Sequence, residues 1–306
     1  MSFDELMTHA AAIQQKAVKR AVTNKEADPE YARGGVEGYY RDIPDLFRPF
    51  AEMPNPAAYD PLIHDLQVVL QKLSTGHVKE PANGEIYLAN VALANMTTAS
   101  DYLEDWTGKA AVAFKQNFLD TFPPIVENQF ILVSVLKAAL EAHKSMWAKA
   151  RDDVDKIAHT TMDALDNAAC CDKNAWTVGF TVVASVSAVA ATLVSGGTAA
   201  PLAFTAVGAT AQVIAATPPP ETDKQYAGET AVQITNAMKE ALRALADSVQ
   251  EVETIGHKDT PGIAPALRAA GDLVGQYRAS FVANRPELAD GRGKPLTGPD
   301  QMGEVS

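Results

Sequence analysis

The chain is poor in cysteine, in basic charge, in aromatic side chains and in strand pattern, and each shortage excludes something. Its two cysteines, Cys170 and Cys171, are neighbours. An adjacent pair rarely bridges itself, because the geometry is strained. The pair reads as two small buried apolar side chains, with an intermolecular bridge or a modified thiol as alternatives. Two cysteines make no disulfide framework. Lys and Arg number 26 against 38 Asp and Glu, a formal net charge of −12. Phosphate contacts need clustered Lys and Arg, so nucleic acid is excluded as a partner. Anionic lipid would repel the chain unless an apolar element does the binding. No strand alternation persists, and abundant alanine favours helices, so the expected fold class is all-α.

Signatures of catalysis are missing too. There is no G-x-S-x-G, Walker A or dinucleotide fingerprint, and Gly34-Gly35 and Gly196-Gly197 lack the required flanks. The six histidines, His9, His64, His77, His143, His159 and His257, are scattered, and none is read as standing at the i, i+4 spacing of a helical metal site with a matching carboxylate. His143 reads as a satisfied core or interface histidine. Asp152, Asp153 and Asp155 read as solvent-facing carboxylates. No enzyme activity, cofactor or metal is expected. Met1 to Val22 has no apolar stretch behind a basic start, so it is no Sec signal peptide. The chain is expected to be cytoplasmic or exported by a Sec-independent route.

Amphipathic helical periods fill most of the length. Phe3, Leu6, Met7, Ala10, Ile13, Ala17 and Val18 predict a helix over 1–22 packed on the main bundle. Residues 23–60 carry turn signals and predict a linker anchored by Tyr39, Tyr40, Phe47 and Phe50. A stripe of Leu62, Leu66, Val69, Leu70 and Leu73 follows, then interruptions at 74–76 and 81–84, then a helical segment from Glu85 to about Asp105. After Gly108 a helix is expected to about Thr121, where Pro123-Pro124 must break or kink it. From Ile125 a three-and-four spacing persists for about 40 residues, with Lys137, Glu141, Lys144, Lys149, Arg151, Asp152 and Asp155 as an ordinary solvated surface. Residues 224–256 and 263–284 predict two further helices on the bundle. The Gly- and Pro-rich residues 285–306 read as a disordered tail.

The helical segments meet at a turn, Trp106-Thr107-Gly108, followed by Ala110, Ala111, Ala113, Phe114 and Phe118. Glycine lets two helix ends approach closely. The indole can cover the open end of a hairpin. Trp106-x-Gly108 with Ala110-Ala111 and Ala113-Phe114 resembles the signature of the WXG superfamily, over roughly residues 60–165. Members are helical-hairpin substrates of type VII (ESX-like) secretion in actinobacteria and other Gram-positive bacteria, together with longer proteins carrying the same hairpin. The resemblance implies a secreted or cell-surface protein that pairs with a helical partner or with itself, engages the type VII machinery, and uses Trp106, Gly108, Ala111, Phe114 and Phe118 at the turn and interface. Two departures accompany it. The prolines at 123–124 interrupt a helix the family commonly keeps whole, and no tyrosine is followed four residues later by Asp or Glu.

The second distinctive stretch, 174–220, contains no charged residue. Trp176 to Val194 runs apolar, Ser195-Gly196-Gly197-Thr198 turns, and Leu202 to Ala216 runs back. It predicts an apolar helical hairpin, with Trp176, Phe180, Val194, Gly196, Gly197, Leu202 and Phe204 as candidate membrane contacts. A helix of the first length could span a bilayer core of about 30 Å. Small residues there suit packing in a soluble core equally well.

The expected architecture is therefore an elongated all-α bundle in five segments. These are an N-terminal helix and linker (1–60), a WXG-like hairpin with a long second helix (61–169), an uncharged apolar hairpin (170–220), C-terminal helices (221–284) and a tail (285–306). The expected function is a type VII secretion-associated substrate, effector or structural component acting by helix association. The alternatives are a membrane-active, pore-forming-like protein and a cytosolic helical scaffold.

Overall fold

A computed structural model describes residues 3–80, 85–102, 108–167, 175–180, 222–257 and 260–283. The fold is all-α in its main elements. Nine helices, α1 (Phe3–Thr23), α2 (Gly35–Tyr40), α3 (Ile43–Ala51), α4 (Asp60–Leu73), α5 (Val91–Tyr102), α6 (Lys109–Phe114), α7 (Phe122–Asn167), α8 (Ala231–Gln250) and α9 (Ile263–Gln276), lie among the described residues. Two short antiparallel ribbons join them. Strand β1 (Ala175–Phe180) pairs with β2 (Thr222–Ala227), and β3 (Gly256–His257) pairs with β4 (Thr260–Pro261). The described residues divide into two compact units.

The first unit holds α1 to α3, residues 141–167 of α7, both ribbons and α8. Leu6, Ala10, Ile13, Ala17 and Ala21 form one fully covered face of α1. Each buried Leu or Ile there contributes about 1.5–3 kcal/mol. They share a core with Ala150, Val154 and Ile157 of α7 and with Ile234, Met238, Leu242 and Leu245 of α8. The stretch 29–51 is not the predicted linker. It forms a 3₁₀ turn (Pro29–Arg33), α2 and α3. Pro44 stands in the first turn of α3, where its missing N–H costs no hydrogen bond. The aromatic anchors hold it down. Tyr40 and Phe47 are fully buried, and the Tyr39 hydroxyl donates to Asn236 Oδ1 at 3.2 Å.

The second unit holds α4 to α6, residues 122–140 of α7, and α9. On α4 the covered residues are Ile63 and Leu70, while Leu62 and Val69 of the predicted stripe point to solvent. The interruption after α4 is a pinned loop. Ser74 Oγ donates to the Tyr87 carbonyl (2.9 Å), Asn90 Nδ2 donates to the Lys72 carbonyl (2.8 Å), and Lys79 bridges Ile86. Gly76 (φ +80°) sits so close to Ala89 that a Cβ would approach its side chain to 3.0 Å. Leu70, Tyr87 and Phe130 close a small core. Asn128 and Gln129 donate to the carbonyls of Ser280 and Phe281 (2.8 and 2.6 Å), which holds the segment after α9 against α7.

Helix α7 is 46 residues long, roughly 70 Å at one rise per residue. Pro123 and Pro124 do not kink it. They occupy its first turn, after a break at Asp120 and Thr121, so the prolines mark a start.

Candidate functional site

The predicted turn is half in view. Trp106 lies outside the described residues. Gly108 has φ +110° and ψ 162°, a backbone conformation essentially confined to glycine. Its carbonyl accepts from Val112 N (3.0 Å), so it caps α6 without a side chain. Ala111 is buried, whereas Phe114 and Phe118 are half-buried. Their rings lie 5.4 Å apart, and Phe118 continues to Phe122 at 5.9 Å. The expected helix to Thr121 is shorter. After Phe114 it widens into a π turn (Lys115–Leu119), against which α5 packs. Leu88, Val91, Tyr102 and Val112, on α5, on α6 and before them, are exposed apolar side chains.

The uncharged stretch begins differently from the prediction. Trp176 and Phe180 lie on β1, not on a helix, and β2 occupies 222–227, where a helix was expected from 224. Trp176 pairs with Tyr226 and Phe180 with Thr222 in the antiparallel register. Aromatic and β-branched residues such as Trp176, Thr177, Val178 and Phe180 favour extended backbone. Val194, Gly196, Gly197, Leu202 and Phe204 lie outside the described residues, as do Cys170, Cys171 and the predicted tail. No helix among the described residues is long and apolar enough to cross a membrane.

The ribbon is rooted between the end of α7 and the start of α8, and a buried ion pair ties those two ends together. Lys25 (φ +51°) turns the chain back after α1, which brings Glu26 beside Arg20. Arg20 Nε lies 3.5 Å from Glu26 Oε1, with both side chains at least nine-tenths covered. Arg20 donates to the carbonyls of Ala164 (3.0 Å), Leu165 (3.3 Å) and Glu229. Glu26 Oε2 accepts from Ala231 N at 2.9 Å, the first amide of α8. A cation thus meets carbonyls near the end of one helix, and an anion meets the amide end of another. A capping box completes that end, with Gln233 N donating to Thr230 Oγ1 and Gln233 Oε1 accepting from Thr230 N.

Two charged residues are not where the sequence reading put them. Lys137, assigned to a solvated surface, is fully buried, its Nζ 2.8 Å from Glu80 Oε1. Tyr87 donates to the other Glu80 oxygen at 2.8 Å. Asp153, read as solvent-facing, is 1% exposed. His143, read as satisfied, has an Nε2 with no hydrogen bond among the described residues. Tyr59 lies edge-on at 6.2 Å, and burial pushes the imidazole pKa below its ordinary value, with Glu253 pulling it partly back.

One side-chain cluster was missed altogether. His9 on α1 and Asp155 and His159 on α7 each offer a ligand atom within 4.8 Å of the others. Asp155 Oδ1 lies 3.7 Å from His9 Nδ1 and 3.3 Å from His159 Nδ1. The imidazole rings meet edge-to-face at 4.6 Å. The four-residue spacing of Asp155 and His159 was the legible signal.

No protein-family model, curated protein or solved structure matches this chain.

Proposed function

We propose that this chain is a non-enzymatic, type VII secretion-associated helical protein, exported without a Sec signal, that acts by pairing its helical hairpin with another helical chain or a second copy of itself. The observation that carries this reading is the Gly108 turn. A glycine in a conformation essentially reserved for glycine opens a helix one residue after Thr107, at the W-x-G position of the resemblance. The exposed Leu88, Val91, Tyr102 and Val112 support it, because apolar side chains on a hairpin suit burial against a partner helix. A Cβ at position 108 is expected to cost on the order of 1–3 kcal/mol, so Gly108→Ala should unfold at lower denaturant and pair more weakly. The deciding measurement is fractionation of the native host, with and without a working type VII ATPase, into cytosol, membrane and medium. Chain in the medium that vanishes with the ATPase supports the reading. Chain confined to the cytosol in both strains removes it.

The β1–β2 ribbon favours a second reading, in which the uncharged residues between its strands act on a membrane. Both strands frame a segment, 181–220, without a charged residue. Val189→Asp should then abolish leakage of dye from liposomes while leaving export intact. Unchanged leakage in that variant would sink the second reading alone.

A further inference from the structure

We propose that His9, Asp155 and His159 form a zinc site that staples α1 to α7. Three observations converge on it. The donors come from two helices far apart in sequence, yet one ligand atom of each lies within 4.8 Å of the others. A single oxygen, Asp155 Oδ1, faces both imidazoles, at 3.7 Å from His9 Nδ1 and 3.3 Å from His159 Nδ1, and the latter nitrogen also lies 3.0 Å from the Asp155 backbone carbonyl, a contact that a metal ion would displace. With bonds of about 2.0–2.2 Å, donors around a tetrahedral zinc stand roughly 3.3–3.5 Å apart, so Asp155 and His159 stand at ligand spacing and His9 must move in to close on both of them. His9 Nδ1, finally, is buried and makes no hydrogen bond among the described residues. A buried ring nitrogen without a hydrogen bond is costly unless something binds it.

The donor chemistry selects the cation. Two imidazoles and one carboxylate suit a borderline transition metal, zinc foremost. Calcium and magnesium prefer all-oxygen shells. His159 is 54% exposed, so the site opens on that side, and water supplies the remaining position. Nothing in this inference depends on export or on the Trp106 turn.

The test uses the full chain, stripped with chelator, in a Cys170→Ser/Cys171→Ser background that removes competing thiolates. Zinc is titrated against a chromophoric chelator, and cobalt serves as a spectroscopic probe. One saturable zinc per chain is expected, with a ligand-field cobalt spectrum and a thermal transition raised by zinc but not by magnesium or calcium. His9→Gln and His159→Ala should each weaken zinc binding by at least about tenfold and abolish the thermal shift while keeping the helical circular dichroism. His159 is the more exposed of the two, so its truncation keeps the test decisive even where His9→Gln perturbs folding. A wild-type chain without a saturable site, or a site equally tight in His159→Ala, overturns the proposal.

Discussion

Among the described residues a buried ion pair stands in each unit, and the two are built on different principles. Lys137 and Glu80 in the second unit are fully covered and meet at 2.8 Å. Lys137 meets the carboxylate as a point charge, and Tyr87 binds the second oxygen. Arg20 and Glu26 in the first unit are slightly less covered and stand 3.5 Å apart. The guanidinium spreads its charge over three backbone carbonyls as well as the carboxylate. Lysine concentrates its charge, whereas the planar fork of arginine distributes it. The first pair pins a loop to a helix through a lysine ammonium held against a carboxylate. The second ties three chain segments through several moderate contacts. A concentrated pair should fail abruptly when one partner goes, and a distributed one by degrees.

The largest expected effect is therefore at Lys137. Lys137→Met leaves a carboxylate buried beside the Tyr87 hydroxyl without its cation, and should cost about 3–5 kcal/mol. Adding Glu80→Gln removes the stranded charge, so the double variant should recover a substantial part of the loss. Chemical denaturation of the single and double variants measures both. A double variant no more stable than Lys137→Met would mean that the loop depends on something other than the charge balance.

Arg20→Lys asks the complementary question. It keeps the charge but loses the fork, and should cost about 1–3 kcal/mol, less than Lys137→Met. The damage should show locally as faster amide exchange at Ala231, whose N–H binds Glu26. A loss as large as that of Lys137→Met would erase the distinction between the two pairs.

Neither pair was legible in the sequence, and the reason is physical. Periodicity reports which face of a helix is covered, and it found Leu6, Ala10, Ile13 and Ala17 on α1 and Ile234, Met238, Leu242 and Leu245 on α8. It says nothing of a charge whose partner lies on a distant loop, as Glu80 does for Lys137. Prolines were read correctly as boundaries at 123–124 but wrongly as linker punctuation at Pro44, because the first turn of a helix and a turn accept proline equally well. The strands β1 and β2 escaped because each is six residues long, and the second carries charges from a remote part of the chain. The Asp155–His159 spacing was readable, but its third member, His9, is brought in only by the packing of α1.

The smallest effect sharpens the comparison from a third, half-buried site, where the charge of Glu253 opposes the burial only in part. His143 is half-buried, its Nε2 makes no hydrogen bond among the described residues, and desolvation holds its pKa below the ordinary value. In the unfolded chain the same imidazole takes up a proton as pH falls through about 6.5. Between that value and the lowered folded pKa the unfolded state binds more protons, so stability falls as pH drops through the window and is unaffected by His143 above it. His143→Gln removes this contribution. The difference in stability between wild type and His143→Gln, followed in chelator from about pH 7.5 to about pH 5, should shift against the wild type as pH falls. A difference that stays constant, or moves in favour of the wild type, would mean that Glu253 offsets the burial and that His143 is held as effectively as the two paired cations.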